Sequence, residues 1–89
     1  MVNTVTIETF CNELLFRLGI EVPEPLDPYV GLYDELGLDS VQAFEAIVIT
    51  EVLADCMAPP SYLPTLYTLM DAYEYFERCR TAARAILGD

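Results

Sequence analysis

The sequence predicts an all-α fold: a four-helix bundle with a long first loop and a short third helix. Three observations predict it. Stretches 6–18 and 68–86 repeat apolar residues at the i, i+3, i+4, i+7 spacing of a helix face. Stretch 40–54 is apolar at helical spacing on two separate faces. Strand alternation and internal repeats are absent from the sequence. The 89 residues allow one domain, 1–89, and no more. A domain this small buries only roughly 60–65% of its surface, which favours the economy of packed helices. At 54% hydrophobic and 21% charged residues, the chain is too apolar to stay disordered.

The first helix spans about 6–18. Ile7, Phe10, Cys11, Leu14, Leu15 and Leu18 form its apolar face. Thr6 or Thr4 can cap its start, and Gly19 suits a left-handed stop. Pro23, Pro25 and Pro28 then forbid a continuous helix. The loop stays apolar at Ile20, Val22, Leu26, Val30, Leu32, Leu36 and Leu38, so it is expected to pack across the domain. A short helical turn fits around Leu32–Leu36.

Ser40 opens the second helix, 40–54, and is a favoured N-cap type. At about 100° per residue, Ala43, Ala46, Ile47, Thr50 and Ala54 share one side. Val41, Phe44, Val48 and Val52 share another, with Gln42, Glu45 and Glu51 between or beside the two stripes. In so small a domain, the second stripe points to a partner. Pro59, Pro60 and Pro64 punctuate the next break, and a short third helix fits 61–66. Thr68 and Asp71 read as a capping box for the last helix, 68–86. Arg78, Arg80 and Arg84 lie toward its C-terminal end, where cations complement the helix dipole.

Charge excludes several functions. There are 15 acidic residues and 4 basic ones, a net charge of −11. Fourteen of the acids fall in the first 77 residues, beside Arg17 as the one base. Such a surface repels phosphate backbones and anionic lipid, so neither nucleic acid nor membrane is an expected partner. It favours and steers basic protein partners. With no His and no Lys, the chain cannot build a Ser-His, Cys-His or His-metal site alone. Cys11, Cys56 and Cys79 show neither metal-ligand nor redox spacing and read as small buried side chains in a reducing compartment. No signal peptide or bilayer-length apolar run is present, so a soluble, cytoplasmic monomer is expected.

The stretch Leu36-Gly37-Leu38-Asp39-Ser40-Val41, followed by an acidic and apolar helix, resembles the attachment site of the acyl carrier protein family. That family has the pattern Leu-Gly-x-Asp-Ser-Leu at the head of its second helix. The resemblance covers about residues 7–80, through Leu18-Gly19-Ile20, the long loop, Glu45 and Glu51, and Thr68-Leu69-Met70-Asp71-Ala72. It implies an acyl-carrier-like bundle whose Ser40 takes a 4′-phosphopantetheine arm from coenzyme A. A separate phosphopantetheinyl transferase would attach the arm with Mg²⁺, engaged through Asp39. The arm would carry acyl groups as thioesters. Val41, Phe44, Glu45, Val48 and Glu51 match the family's partner-recognition positions, with Asp34, Glu35 and Asp55 as further acids. Implied partners are a ketosynthase, an acyltransferase or an adenylation enzyme. The chain would have no catalytic residue and no resident metal, and would not itself be an enzyme.

The pattern departs from the family at three points. Val41 replaces the usual Leu, Ala54 a larger residue, and Val52 a common acid. Ala43, Ala46 and Ala54 leave possible room inside the bundle. Asp39 before Ser40 favours an acyl carrier over a peptidyl or aminoacyl carrier of a nonribosomal pathway, which stays an alternative. The small, Lys-free chain with its Pro-rich loop resembles carriers of polyketide or mixed peptide pathways. A rival of another class is an acidic helical interaction module whose Ser40 is never modified. A cysteine enzyme is weaker still, because no His is present to activate a thiol.

Overall fold

The computed structural model describes residues 6–56 and 64–86. Among them are three helices: α1 (Ile7–Leu18), α2 (Ser40–Leu53) and α3 (Leu69–Ile86). Each packs against the other two. The described residues contain no strand beyond one isolated bridge, Gly31 with Thr68. The all-α expectation therefore holds, but a fourth helix is not found among the described residues. Of the expected short helix at 61–66, residues 61–63 lie outside the described residues, and 64–66 are not helical. Pro64 supplies a reason: it has no N–H to donate and its ring fixes φ.

The caps follow sequence chemistry. Thr6 accepts from the Thr9 N–H at 3.1 Å to start α1. Gly19 ends it at φ 74°, with its N–H turned back to the Leu15 and Phe16 carbonyls. At α3, the Asp71 carboxylate accepts from the Thr68 N–H at 3.1 Å, and the Asp71 N–H donates to the Thr68 hydroxyl at 3.1 Å. This is the expected reciprocal box. The arginines differ from expectation. α3 runs to Ile86, so Arg78 and Arg80 stand well before its last turn, where the dipole acts. Arg80 pairs with Glu77 at 3.2 Å and lies 5.4 Å over the Phe76 ring.

The core joins all three helices. Phe10, Cys11, Leu14 and Leu15 come from α1, Ala46 and Ile47 from α2, and Leu69, Ala72, Tyr75, Phe76 and Cys79 from α3. Phe10 and Phe76 pack with ring centroids 4.8 Å apart, and Tyr73 adds a third ring 5.8 Å from Phe10. Thr50 is fully buried, its hydroxyl donating to the Ala46 carbonyl at 2.7 Å.

The long loop is tied down. Leu32 is fully buried, and Leu38 is nearly so. The Leu32 N–H donates to the Tyr67 carbonyl at 2.8 Å, and the Met70 N–H to the Pro28 carbonyl at 2.7 Å. Loop 28–32 is thus clasped to the entry of α3. The predicted turn near Leu32–Leu36 appears as a hydrogen-bonded turn, Leu36 N–H to Gly31 carbonyl at 3.0 Å, without becoming a helix. No helix among the described residues is long and apolar enough to cross a membrane.

Leu32→Ala removes a plug from a loop, not from a helix. Its expected cost is nevertheless that of a core truncation, about 2–5 kcal/mol. Chemical denaturation followed by circular dichroism measures it. A change near zero would show the loop to be unanchored.

Candidate functional site

The site forms where the long loop enters α2. The Leu38 N–H donates to the Leu32 carbonyl at 2.9 Å, closing the loop on itself. Gly37 adopts φ 76°, a left-handed geometry that a side chain would strain. Leu38 then inserts into the core, and the next two residues emerge at the surface.

The structure corrects the expected cap. Asp39, not Ser40, is the N-cap of α2. Its Oδ1 accepts from the Gln42 N–H at 2.8 Å, and Gln42 Oε1 accepts from the Asp39 N–H at 3.2 Å. A carboxylate at the cap also meets the positive end of the helix dipole. Ser40 becomes the first helical residue, exposed, and its hydroxyl makes no hydrogen bond among the described residues. Asp39 thus does the structural work that sequence alone assigns to Ser40.

Beside Ser40 lies a shallow cleft of about 280 Å³ between α2 and the segment 64–66. Tyr33 and Phe44 stand at its walls, with Ala43, Ile47 and Leu66 lining it further. This cleft opens to solvent beside Ala43 and is not the room expected inside the bundle. Ala46 is fully buried and Ala54 nearly so, and neither lines this cleft. Tyr33 and residues 64–66 carry no signal in the linear sequence. The clasp between loop 28–32 and residues 67–70 brings them here.

The second stripe of α2 is open to solvent. Val41 is 67% exposed, Phe44 54%, Val48 41% and Val52 62%. Four large apolar residues on one exposed helix face make a contiguous patch of the kind used for contact. Phe44 belongs to this patch and not to the core. Val52 extends it beyond the expected contact residues by another turn. Glu45 is exposed next to it, and α2 carries no basic residue. Glu51 is placed differently: it is half-buried, and its carboxylate accepts from the Tyr75 hydroxyl. It is held from inside the bundle. Burial, and then that hydrogen bond, push the Tyr75 hydroxyl far above its ordinary range. Asp34 and Glu35 sit exposed in the loop, where Glu35 accepts from the Gly31 N–H at 2.9 Å.

Two of the cysteines are buried in the core. Burial pushes the Cys11 thiol up to about 11. Burial first, and then a hydrogen bond with Cys56, push Cys79 up to about 12. Neither is an activated nucleophile. No metal-ligand cluster occurs among the described residues. Compared with known family models and with solved structures, the chain matches none.

Cys56 is half-buried, whereas Cys11 and Cys79 are buried. At pH 8 a thiol with the Cys11 value of about 11 is thiolate to only about one part in a thousand. A chromogenic disulfide reagent is expected to label Cys56 first in the folded protein, with the other two reacting only on unfolding. Rapid labelling of Cys11 or Cys79 would revive a reactive-thiol role.

Proposed function

We propose that this chain is an acyl carrier protein. It holds acyl groups as thioesters on a 4′-phosphopantetheine arm attached to Ser40 and presents them to partner enzymes of polyketide or related specialised biosynthesis. The observation that carries this reading is the separation of duties at the start of α2: Asp39 caps the helix, and the Ser40 hydroxyl stands exposed and unengaged.

The surroundings of Ser40 fit the group. A phosphodiester on Ser40 would sit at the positive end of α2, where first-turn N–H groups lack helical acceptors. The Gln42 N–H is already used by Asp39, which leaves the N–H groups before it. The neighbouring cleft, with two aromatic walls, gives the arm a surface to lie on. When bound, the arm supplies the terminal thiol for thioester carriage. With no His or Lys in the chain, the base that activates Ser40 must come from the phosphopantetheinyl transferase. Asp39 engages that enzyme and its Mg²⁺. Its Oδ2 makes no hydrogen bond among the described residues.

Partner enzymes (a ketosynthase, an acyltransferase or an adenylation enzyme) would dock on the exposed stripe. Val41, Phe44 and Val48 supply apolar grip, while Glu45 and the surrounding acids steer a basic surface and set register.

Incubation with coenzyme A, Mg²⁺ and a broad-specificity phosphopantetheinyl transferase tests the site. Intact mass is expected to rise by one phosphopantetheine in the parent and not in Ser40→Ala. No gain in the folded parent across several transferases would leave the acidic docking module as the reading.

The same assay tests the docking face. Phe44→Ala is expected to lower the transferase kcat/KM by roughly tenfold, the scale of one buried interface anchor. Glu45→Arg is expected to lower kcat/KM with a weaker dependence on salt. Unchanged values in both variants would remove the Phe44–Glu45 face of α2 from the transferase contact.

A further inference from the structure

Two of the three cysteines meet at the end of α2, away from Ser40. Three backbone and side-chain contacts bring them together. The Tyr75 hydroxyl donates to the Glu51 carboxylate, which ties α3 to the last turn of α2. The chain then leaves α2 through a left-handed stop. Asp55 adopts φ 52°, its N–H donates to the Val52 carbonyl at 3.0 Å, and the Cys56 N–H donates to the Glu51 carbonyl at 3.0 Å. That stop sets Cys56 against the core. Cys79 stands one helical turn beyond Tyr75, on the same face of α3. The two thiols share a hydrogen bond.

The two sulfurs differ in access. Cys79 is fully buried. Cys56 is half-buried and lines an open cleft with Val48, Glu51, Val52 and Asp55. One thiol can meet a small reagent, and the other can meet only the first. This is the division between an entry thiol and a resolving thiol. Burial that keeps Cys79 from an outside reagent does not keep it from a sulfur it already touches, since neighbouring groups held in place react at a high effective concentration.

We propose that Cys56 and Cys79 form a reversible disulfide that pins the exit of α2 to α3, made by exchange with a small-molecule disulfide. Cys56 gives its proton to solvent, and its sulfur attacks one sulfur of the small disulfide. A mixed disulfide forms on Cys56, and the other half leaves as a thiolate. Cys79 then gives its proton to solvent, and its sulfur attacks Cys56 Sγ. The protein disulfide forms, and the second half leaves as a thiolate. The two thiolates take up the two protons. Two protein thiols are oxidised, and one small disulfide is reduced to two thiols. The new bond lies beside Val48 and Val52, so oxidation stiffens the far end of the exposed stripe. The proposal does not depend on what Ser40 carries.

The test exposes the full, folded chain to oxidised glutathione. Intact mass is expected to fall by two hydrogens, and excess reduced glutathione to restore them. Cleavage after Arg17, Arg78 and Arg80 leaves each cysteine on its own peptide, so the linked pair is read directly and Cys11 is expected to stay unlinked. The oxidised chain is expected to melt roughly 10 °C higher, the scale of a cross-link that closes a long loop in a small domain. Cys79→Ser is expected to stop at a lasting glutathione adduct on Cys56, and Cys56→Ala to take up none. The peptide map of the parent decides the pairing even where a variant folds poorly. A parent that stays reduced, stops at the adduct, links Cys11 or pairs only between chains would overturn the proposal. A linked pair that excess reduced glutathione leaves intact would overturn its reversibility, and an unchanged melting temperature would overturn the pinning.

Discussion

The clasp between the long loop and the entry of α3 holds the rest of the arrangement in place. Two backbone hydrogen bonds, Leu32 N–H to Tyr67 carbonyl at 2.8 Å and Met70 N–H to Pro28 carbonyl at 2.7 Å, span the contact. They satisfy polar groups that a buried loop would otherwise leave unpaired. With those groups paired, Leu32 can enter the core at no cost in lost backbone hydrogen bonds. Leu38 then closes back onto the Leu32 carbonyl, and the chain leaves the core just before Asp39 and Ser40. The position of Ser40 is therefore inherited from a loop that packs like a core element. The same clasp brings Tyr33 and Leu66 to the cleft beside it.

α2 resolves a conflict between stability and contact. Its inner face is built from Ala43, Ala46, Ile47 and Thr50, mostly small residues that allow close approach of helices. Phe44, Val41, Val48 and Val52 face solvent. Exposed apolar area forgoes roughly 25 cal/mol for every Å² left unburied. In a domain that buries so limited a surface, this loss is substantial. A partner that covers the stripe would recover it. The acids around the stripe keep the patch soluble and repel other copies of the chain, since α2 carries no base to pair with them.

Asp39 and Ser40 show how neighbouring residues divide a helix terminus. Either type can cap a helix, and the pair in isolation leaves the choice open. Asp39 takes the cap and closes a box with Gln42, three residues on. Ser40 is released to the first helical position with its hydroxyl in solvent. The box partner was present in the sequence: Gln42 stands three residues after Asp39, the spacing that identifies the N-cap. Glu51 is the complementary case. It looks like one more surface acid, yet the Tyr75 hydroxyl holds it across 24 residues of sequence.

Local chemistry by itself determined the three described helices, their starts and the stop of α1, because caps and apolar spacing act within one or two turns. Thr6, Gly19 and the Thr68–Asp71 pair each need only near neighbours to do their work. The motif around Ser40 that resembles a carrier attachment site is local too. Domain size and the two stripes together pointed to the Val41–Phe44–Val48–Val52 side as the outward one, and tertiary packing left that side exposed. Tertiary structure also decided that residues 64–66 are non-helical chain beside α2, that Arg80 serves Phe76 and Glu77 in place of the helix end, and that Tyr33 borders the cleft at Ser40. Each of these depends on contacts between segments far apart in sequence, which exist only once the loop has closed over the core.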